Sequence, residues 1–197
     1  MRHVIAILAA CMISGIPVAQ AEQVAQATAS ALRIGATAAV KGQVQLAALP
    51  GIRPVGKNAA SGEPIYLGDQ VTTGANGRLQ VLLLDETVFT IGPNATLVID
   101  AFIYDPNAST GKVAATVVKG AFRFITGKVA RLNPTDMEVR LPVGSIGVRG
   151  TSVAGVTDGT SATVVLLGPG PESNTDDRTG RIIVQGLGGG PDSAVEI

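Results

Sequence analysis

The chain has 197 residues, 15 of them basic and 15 acidic, with aromatic rings at only 3% and no Trp. That length suits one ordinary domain with short appendages. The balanced charge argues against a phosphate-backbone binder, and the shortage of rings removes the stacking platform that a single-strand nucleic-acid binder needs. With 25 Gly and 11 Pro in a chain that is 46% hydrophobic, the composition predicts many turns and a core of Val, Ile, Leu and Ala rather than long helices.

The chain opens on Met1-Arg2-His3, a short basic start. Residues 4–18 are mostly apolar, and Ala19-Gln20-Ala21 is a small-x-small cleavage pattern ahead of Glu22. These are the three regions of a secretory signal peptide. The apolar run is broken by Ser14, Gly15 and Pro17 and falls short of the ~20 residues of a membrane span. A competing reading takes Leu8-Ala9-Ala10-Cys11 as a lipobox, which would make Cys11 a lipidated first residue. His3 and Cys11 are the only His and Cys, so a chain cut after Ala21 has neither.

Residues 22–32 are rich in Ala and Gln without an apolar stripe, and read as a flexible leader. From Arg33, the residues Ile34, Ala36, Ala38, Val40, Val44 and Leu46 alternate with others, interrupted at Lys41-Gly42. That predicts a hairpin or a bent strand. Residues 50–62 have the Pro and Gly content of a surface loop. Short strands are then expected at 63–67, 71–73 and 78–84, the last with Leu79, Val81 and Leu83 on one face and Leu82 and Leu84 on the other. Apolar residues on both faces predict a strand covered on both sides. Asp85-Glu86 reads as a tight turn, with strands following at 87–91 and 96–104. Asp105 to Gly111 is a polar loop. Residues 113–118 run into Lys119-Gly120, and 121–125 run back, with Phe122 and Phe124 sharing a face. Residues 129–136 carry a break at Asn133-Pro134.

The stretch from Val139 to Val153 is the pivot. Val139, Leu141 and Val143 alternate with other residues, and then Gly144, Gly147 and Gly150 recur every third residue. Glycine within an apolar β run marks a bulge, a sharp bend or a close backbone approach. This predicts a strand that turns a corner and continues to Val156. Asp158-Gly159 signals a hairpin turn, followed by strands at 161–167 and 181–185, with a polar loop between them and a glycine-rich tail after 186. Roughly a dozen short strands with frequent turns are the signature of a sandwich, barrel or roll.

Several pieces, in order, resemble the FecR domain family. They are Gly68-Asp69-x-Val71-x-Thr73-Gly74, Gly77-Arg78, Leu84-Asp85-x-Thr87, Ile91-Gly92-Pro93-Asn94 and Val98-Ile99-Asp100. Then come Tyr104-Asp105-Pro106, Lys119-Gly120-x-Phe122-Arg123-Phe124, Thr126-Gly127-Lys128 and Ile146-Gly147-Val148-Arg149-Gly150-Thr151. The resemblance spans residues 62 to about 156. It implies an all-β periplasmic domain with a twisted two-sheet, roll-like or solenoid-like fold. The best-studied relatives pass a signal from an outer-membrane receptor to a cytoplasmic sigma factor. Because no cytoplasmic tail and no retained membrane helix are expected here, that role is not carried over. Glu86 also stands where many relatives have Gly, so that turn is expected to differ in shape.

Without His or Cys, a mature chain has no Ser-His-Asp triad, no Cys-His pair and no ordinary zinc site. A Ser–Lys pair drawn from Ser145 or Ser152 with Lys119 or Lys128 has nothing to indicate proximity. Asp69, Asp85, Glu86, Asp100, Asp105 and Asp136 are the carboxylates from which a glycosidase pair would be drawn, but Asp at turns ordinarily bonds its own backbone. Asp100, Asp105 and Asn107 lack the spacing of a calcium loop. Arg149 is the one charge between Ile146 and Val153, and an outward or carboxylate-paired position is its ordinary use.

The expectation is an all-β chain, a twisted two-sheet sandwich, roll or solenoid-like fold, divided as signal peptide 1–21, leader and first strands 22–61, FecR-like domain 62–156, and hairpin strands with tail 157–197. No catalytic, cofactor-binding or metal residue is expected, and no cofactor. The function expected is a non-catalytic binding or signalling module of the bacterial cell envelope, periplasmic or secreted. Its partner would be another envelope protein, with no nucleic acid and no membrane span after signal cleavage. A passive structural envelope protein and a carboxylate-dependent hydrolase are the alternatives. N-terminal sequencing of the exported protein is expected to begin at Glu22; a lipid-modified Cys11 as first residue would identify the other type of signal.

Overall fold

Alternating apolar and small or polar residues give a strand one face for a core and one for solvent, and most of this chain follows that alternation. The computed structural model describes residues 32–48, 57–149, 152–167, 181–186 and 194–196. The signal segment with Cys11, the leader to residue 31, Gly150, the loop 168–180 and the glycine-rich stretch 187–193 lie outside the described residues.

The protein is mostly β, as its composition and turns predict. The strands are β1 (Arg33–Lys41), β2 (Val44–Ala47), β3 (Lys57–Asn58), β4 (Pro64–Tyr66), β5 (Gln70–Thr73), β6 (Arg78–Leu83), β7 (Val88–Ile91) and β8 (Thr96–Asp105). After them come β9 (Thr110–Ile125), β10 (Met137–Leu141), β11 (Gly144–Arg149), β12 (Ser152–Thr157), β13 (Ala162–Leu167), β14 (Arg181–Gly186) and β15 (Ala194–Glu196). A helix, α1 (Lys128–Leu132), and a 3-10 turn at Pro134–Asp136 occupy the segment around the Asn133-Pro134 break. Secure helix was not expected there. The Asn133 side chain accepts from the Thr135 backbone N–H, and Pro134 sits at the first position of the 3-10 turn, where its missing N–H costs nothing.

The strands form one continuous, curled, largely antiparallel sheet in the manner of a half-barrel. One side runs β4-β1-β6-β7-β9-β12-β13, and the other runs β3-β2-β5-β8-β9-β10-β11-β14-β15. Strand β9 belongs to both. Its first part pairs with β8 and, in parallel, with β10; its last part pairs with β7 and β12. The sequence suggested that the chain reverses at Lys119-Gly120. Instead, one 16-residue strand runs through and bends there. Gly120 has φ +96°, and a Cβ at that position would stand 2.3 Å from the Ala95 Cβ, so only glycine passes.

The chain changes sides at other corners too. Strands β1 and β2 do not pair with each other, so Arg33–Ala47 is a bent strand and not a hairpin; Gly42, at φ +67°, makes the bend. The corner expected near the Gly144-x-x-Gly147-x-x-Gly150 run falls between β11, which pairs with β10 and β14, and β12, which pairs with β9 and β13. Gly147 is not what permits it. A Cβ there would meet nothing closer than 3.9 Å, whereas one at Gly144 would stand 2.3 Å from the Gln185 carbonyl oxygen.

Inner faces from both sides share one core, from Ile34 and Val44 through Val81, Leu97 and Val139 to Ile182. Phe89, Phe122 and Phe124 gather inside, with Phe122 and Phe124 stacked at 6.3 Å. Gly155 lies opposite Phe122 and leaves room for its ring. Strand β6 differs from expectation. Its outer residues Leu82 and Leu84 are 44% and 52% exposed, so this strand is covered on one face only.

Buried polar groups fix the corners. Asp85 and Thr87 are fully buried. Asp85 accepts the Thr87 backbone N–H at 3.0 Å and its hydroxyl at 2.7 Å. The Thr87 oxygen accepts the Gly127 N–H at 3.0 Å, and the Asp85 carbonyl accepts the Lys128 N–H at 2.7 Å. A Cβ on Gly127 would lie 2.3 Å from the Asp85 carbonyl oxygen, which is why Gly127 approaches so closely. Glu86 turns the chain between them at φ +71°, an uncommon angle for a residue with a side chain. Thr73 does similar work at the Gly92-Pro93-Asn94 turn: its hydroxyl donates to the Gly92 carbonyl at 2.6 Å and accepts the Ala95 N–H at 2.9 Å.

Two outcomes are expected from urea melts. Gly120→Ala should destabilise the protein by about 1–3 kcal/mol through backbone strain, whereas Gly147→Ala should stay within ~0.5 kcal/mol of wild type. Thr87→Val, which keeps shape and the backbone bond to Asp85 Oδ1 but leaves Asp85 Oδ2 and the Gly127 N–H without their partner, should cost about 1–3 kcal/mol per orphaned group.

Candidate interaction surface

The carboxylates considered for catalysis are each engaged where they stand. Asp69 is buried and accepts the Tyr66 N–H at 2.9 Å. Asp85 serves the network described above. Asp100 accepts the Thr116 hydroxyl at 2.6 Å. Asp105 accepts the N–H groups of Asn107 and Ala108 at 2.8 and 3.1 Å, folding its own loop. Asp136 ends the 3-10 turn, its backbone N–H donating to the Asn133 carbonyl at 3.1 Å. Glu86 pairs with Lys128 at 2.6 Å; that contact pulls the Glu86 carboxyl below its ordinary range and raises the Lys128 ammonium. None of these interactions joins one carboxylate to another. Among the described residues, no group of three His, Cys, Asp or Glu is placed to hold a metal.

The Ser–Lys candidates are likewise apart. Ser152 lies 3.5 Å from the Arg123 guanidinium, Ser145 is opposite Arg140 on β10, and Lys128 is taken by Glu86. Lys119 is exposed opposite Thr96 on β8. Arg149 ends β11 opposite Arg181, and its side chain lies outside the described residues. Asp158, at the expected hairpin, accepts the N–H groups of Thr160 and Ser161 at 2.8 and 2.7 Å and both their hydroxyls. Four donors hold its carboxyl well below the usual range.

The informative geometry is on the outer faces. Cross-strand partners share a face, so the pairing register can be followed across the sheet. On one side, Ala36, Leu82, Val88, Ile125, Ser152 and Leu167 form a single row over six strands. The next row holds Gln80, Thr90, Arg123, Ala154 and Val165, and Val156 lies beyond. Val156 and Val165 are each 51% exposed. On the other side, the corresponding row is Gln70, Val98, Thr116, Arg140, Ser145 and Gln185. Arg140 there pairs with Glu138 at 2.9 Å. The first outer face is thus rich in aliphatic side chains, with Gln80, Thr90, Ser152 and one guanidinium among them; the second is more polar along this row, although Ile103 and Ile183 are exposed elsewhere on it.

The aliphatic face ends at β13, which among the described residues pairs with β12. Strand β1 is interior, between β4 and β6, while β14 covers the edge of β11 and brings the fully buried Ile182 into the core. What sequence reasoning missed was this outer face, because Leu82 was assigned to a covered side. The signal was present: Leu82, Val88 and Ile125 occupy the outward positions of three strands that are neighbours in space and not in sequence.

No helix among the described residues is long and apolar enough to cross a membrane. No curated protein matches the chain. A solved structure, a cell surface anchoring domain, aligns at 26% identity over 32% of this chain and 80% of that one, with a TM-score of 0.30. The family model described as FecR protein matches residues 69–169, a span that contains the Asp85–Thr87–Gly127 network, the Gly120 bend and the β12–β13 hairpin. By that match over half its length, the chain belongs to the FecR family.

Proposed function

We propose that this protein is an exported, non-catalytic binding module of the bacterial cell envelope, and that it holds another envelope protein on the aliphatic outer face beside β13. The observation that carries this is the outer surface that six strands assemble around the row from Ala36 to Leu167, where Leu82, Val156 and Val165 are exposed and Val88, Ile125 and Leu167 half-buried beside them. Contiguous apolar surface of this kind marks an interaction site in a soluble domain. Family membership supports the envelope location and a role without chemistry. The local engagement of the carboxylates supports it too.

The test is capture by crosslinking at native abundance. Deleting the chain after Gly180 would not serve, since it removes the buried Ile182 and would unfold part of the core. The double variant Leu82→Lys, Val165→Lys leaves the core intact. Burying one such aliphatic side chain is worth about 1.5–3 kcal/mol, so two charges should lower partner capture roughly tenfold or more. Urea melts should remain close to wild type. Undiminished capture of the same protein by the double variant would move the docking site elsewhere.

A further inference from the structure

The polar outer face carries a feature that the docking reading does not use. A shallow groove of about 240 Å³ crosses β2, β3 and β5, lined by Gln43, Gln45, Asn58, Thr72, Thr73 and Gly74. Gln45 stands opposite Asn58 on one neighbour and opposite Thr72 on the other, so an amide, an amide and a hydroxyl follow one another across three strands. Gln43, Gln45 and Asn58 are exposed. Among the described residues, no hydrogen bond engages the side-chain amides of Gln43, Gln45 or Asn58. Gly74 keeps the groove open beside Gln43: a Cβ there would come within 3.0 Å of the Gln43 Oε1.

We infer that this groove binds an uncharged saccharide. Among the described residues its lining has no charged residue. An ionic ligand would lose water there without finding a counter-charge, and an apolar one would cover free amides without satisfying them. Each amide offers two donors and an acceptor, and the Thr72 hydroxyl, which accepts from Gln70 at 3.4 Å, still has a proton to donate; the Thr73 hydroxyl is spent on the Gly92-Pro93-Asn94 turn and only lines the floor. Vicinal sugar hydroxyls are themselves donor and acceptor, so they match this lining in kind. The volume accommodates one or two sugar rings. The groove is half open and has no aromatic platform, so affinity is expected in the millimolar range, on the order of 1 mM.

The experiment is an amide-resolved NMR titration of the intact mature protein with two probes, an N-acetylglucosamine tetramer and a glucose tetramer. Saturable shifts confined to the β2, β3 and β5 residues around the groove are expected with at least one. Saturation by the acetamido probe alone would support an amino-sugar glycan of the kind found in cell walls; saturation by both would support neutral glycans in general. Gln45→Ala with Asn58→Ala should weaken binding roughly tenfold or more while leaving the urea midpoint unchanged. Absence of saturable shifts with either probe, or shifts that survive the double variant, would overturn the inference. Neither outcome bears on the aliphatic face, whose variants lie on the opposite side of the sheet.

Discussion

A strand that serves two sides of one sheet has to turn without breaking, and β9 does so at Gly120. The rest of the fold depends on that bend. Strands β8 and β10 attach to β9 before it, and β7 and β12 attach after it. The close approach of Gly120 to Ala95 also sets where β8 begins. Were the bend straightened, Phe122 and Phe124 would leave the shared interior, and the two inner faces could not close on one core. The irregular register between Thr96 and Leu97 on β8 is the local mark of this corner, because the inside of a bend needs fewer residues than the outside.

The second constraint is electrostatic. A sheet with this many corners leaves backbone N–H groups at each one, and a buried unpaired donor costs more than an ordinary hydrogen bond returns. The protein meets this with Asp and Thr side chains placed where a corner passes through the interior. Thr73, Asp85 and Thr87 each take N–H groups that no strand partner reaches. All three lie within the span that the family model matches, and each does structural work there. Asp85 is fully buried beside Thr87 and Gly127, and its carboxylate is spent on holding a turn.

Strand positions, the hairpin at Asp158 and the absence of long helices were legible in the sequence because each depends on local alternation or a turn dipeptide. The bend in β9 was not. Lys119-Gly120 looks the same whether the chain reverses or merely turns a corner; the difference lies in Ala95, distant in sequence. Gly147 was misjudged for the opposite reason: its spacing with Gly144 suggested tight quarters, but the neighbouring Ile183 stands off. The outward exposure of Leu82 was hidden because a single strand with apolar residues on both faces does not say which face its neighbours cover. The candidate surface was illegible as a whole, since its rows draw one residue from each of six strands.

The chemistry of the aliphatic face also bears on what it can hold. An exposed aliphatic surface on a sheet is a template for self-association, which β proteins ordinarily blunt with charge. Here the charge is Arg123, exposed within the second row between Thr90 and Ala154. A second copy docking across the centre of this patch would bring two guanidiniums into the same apolar surroundings, where each loses water and neither finds a counter-ion. A partner that carries a carboxylate opposite Arg123 meets no such penalty. In the proposed docking, Arg123 would therefore weigh against the chain's own copies while leaving Leu82, Val88, Ile125 and Val165 to a different protein, the way a repulsive element gives a surface selectivity.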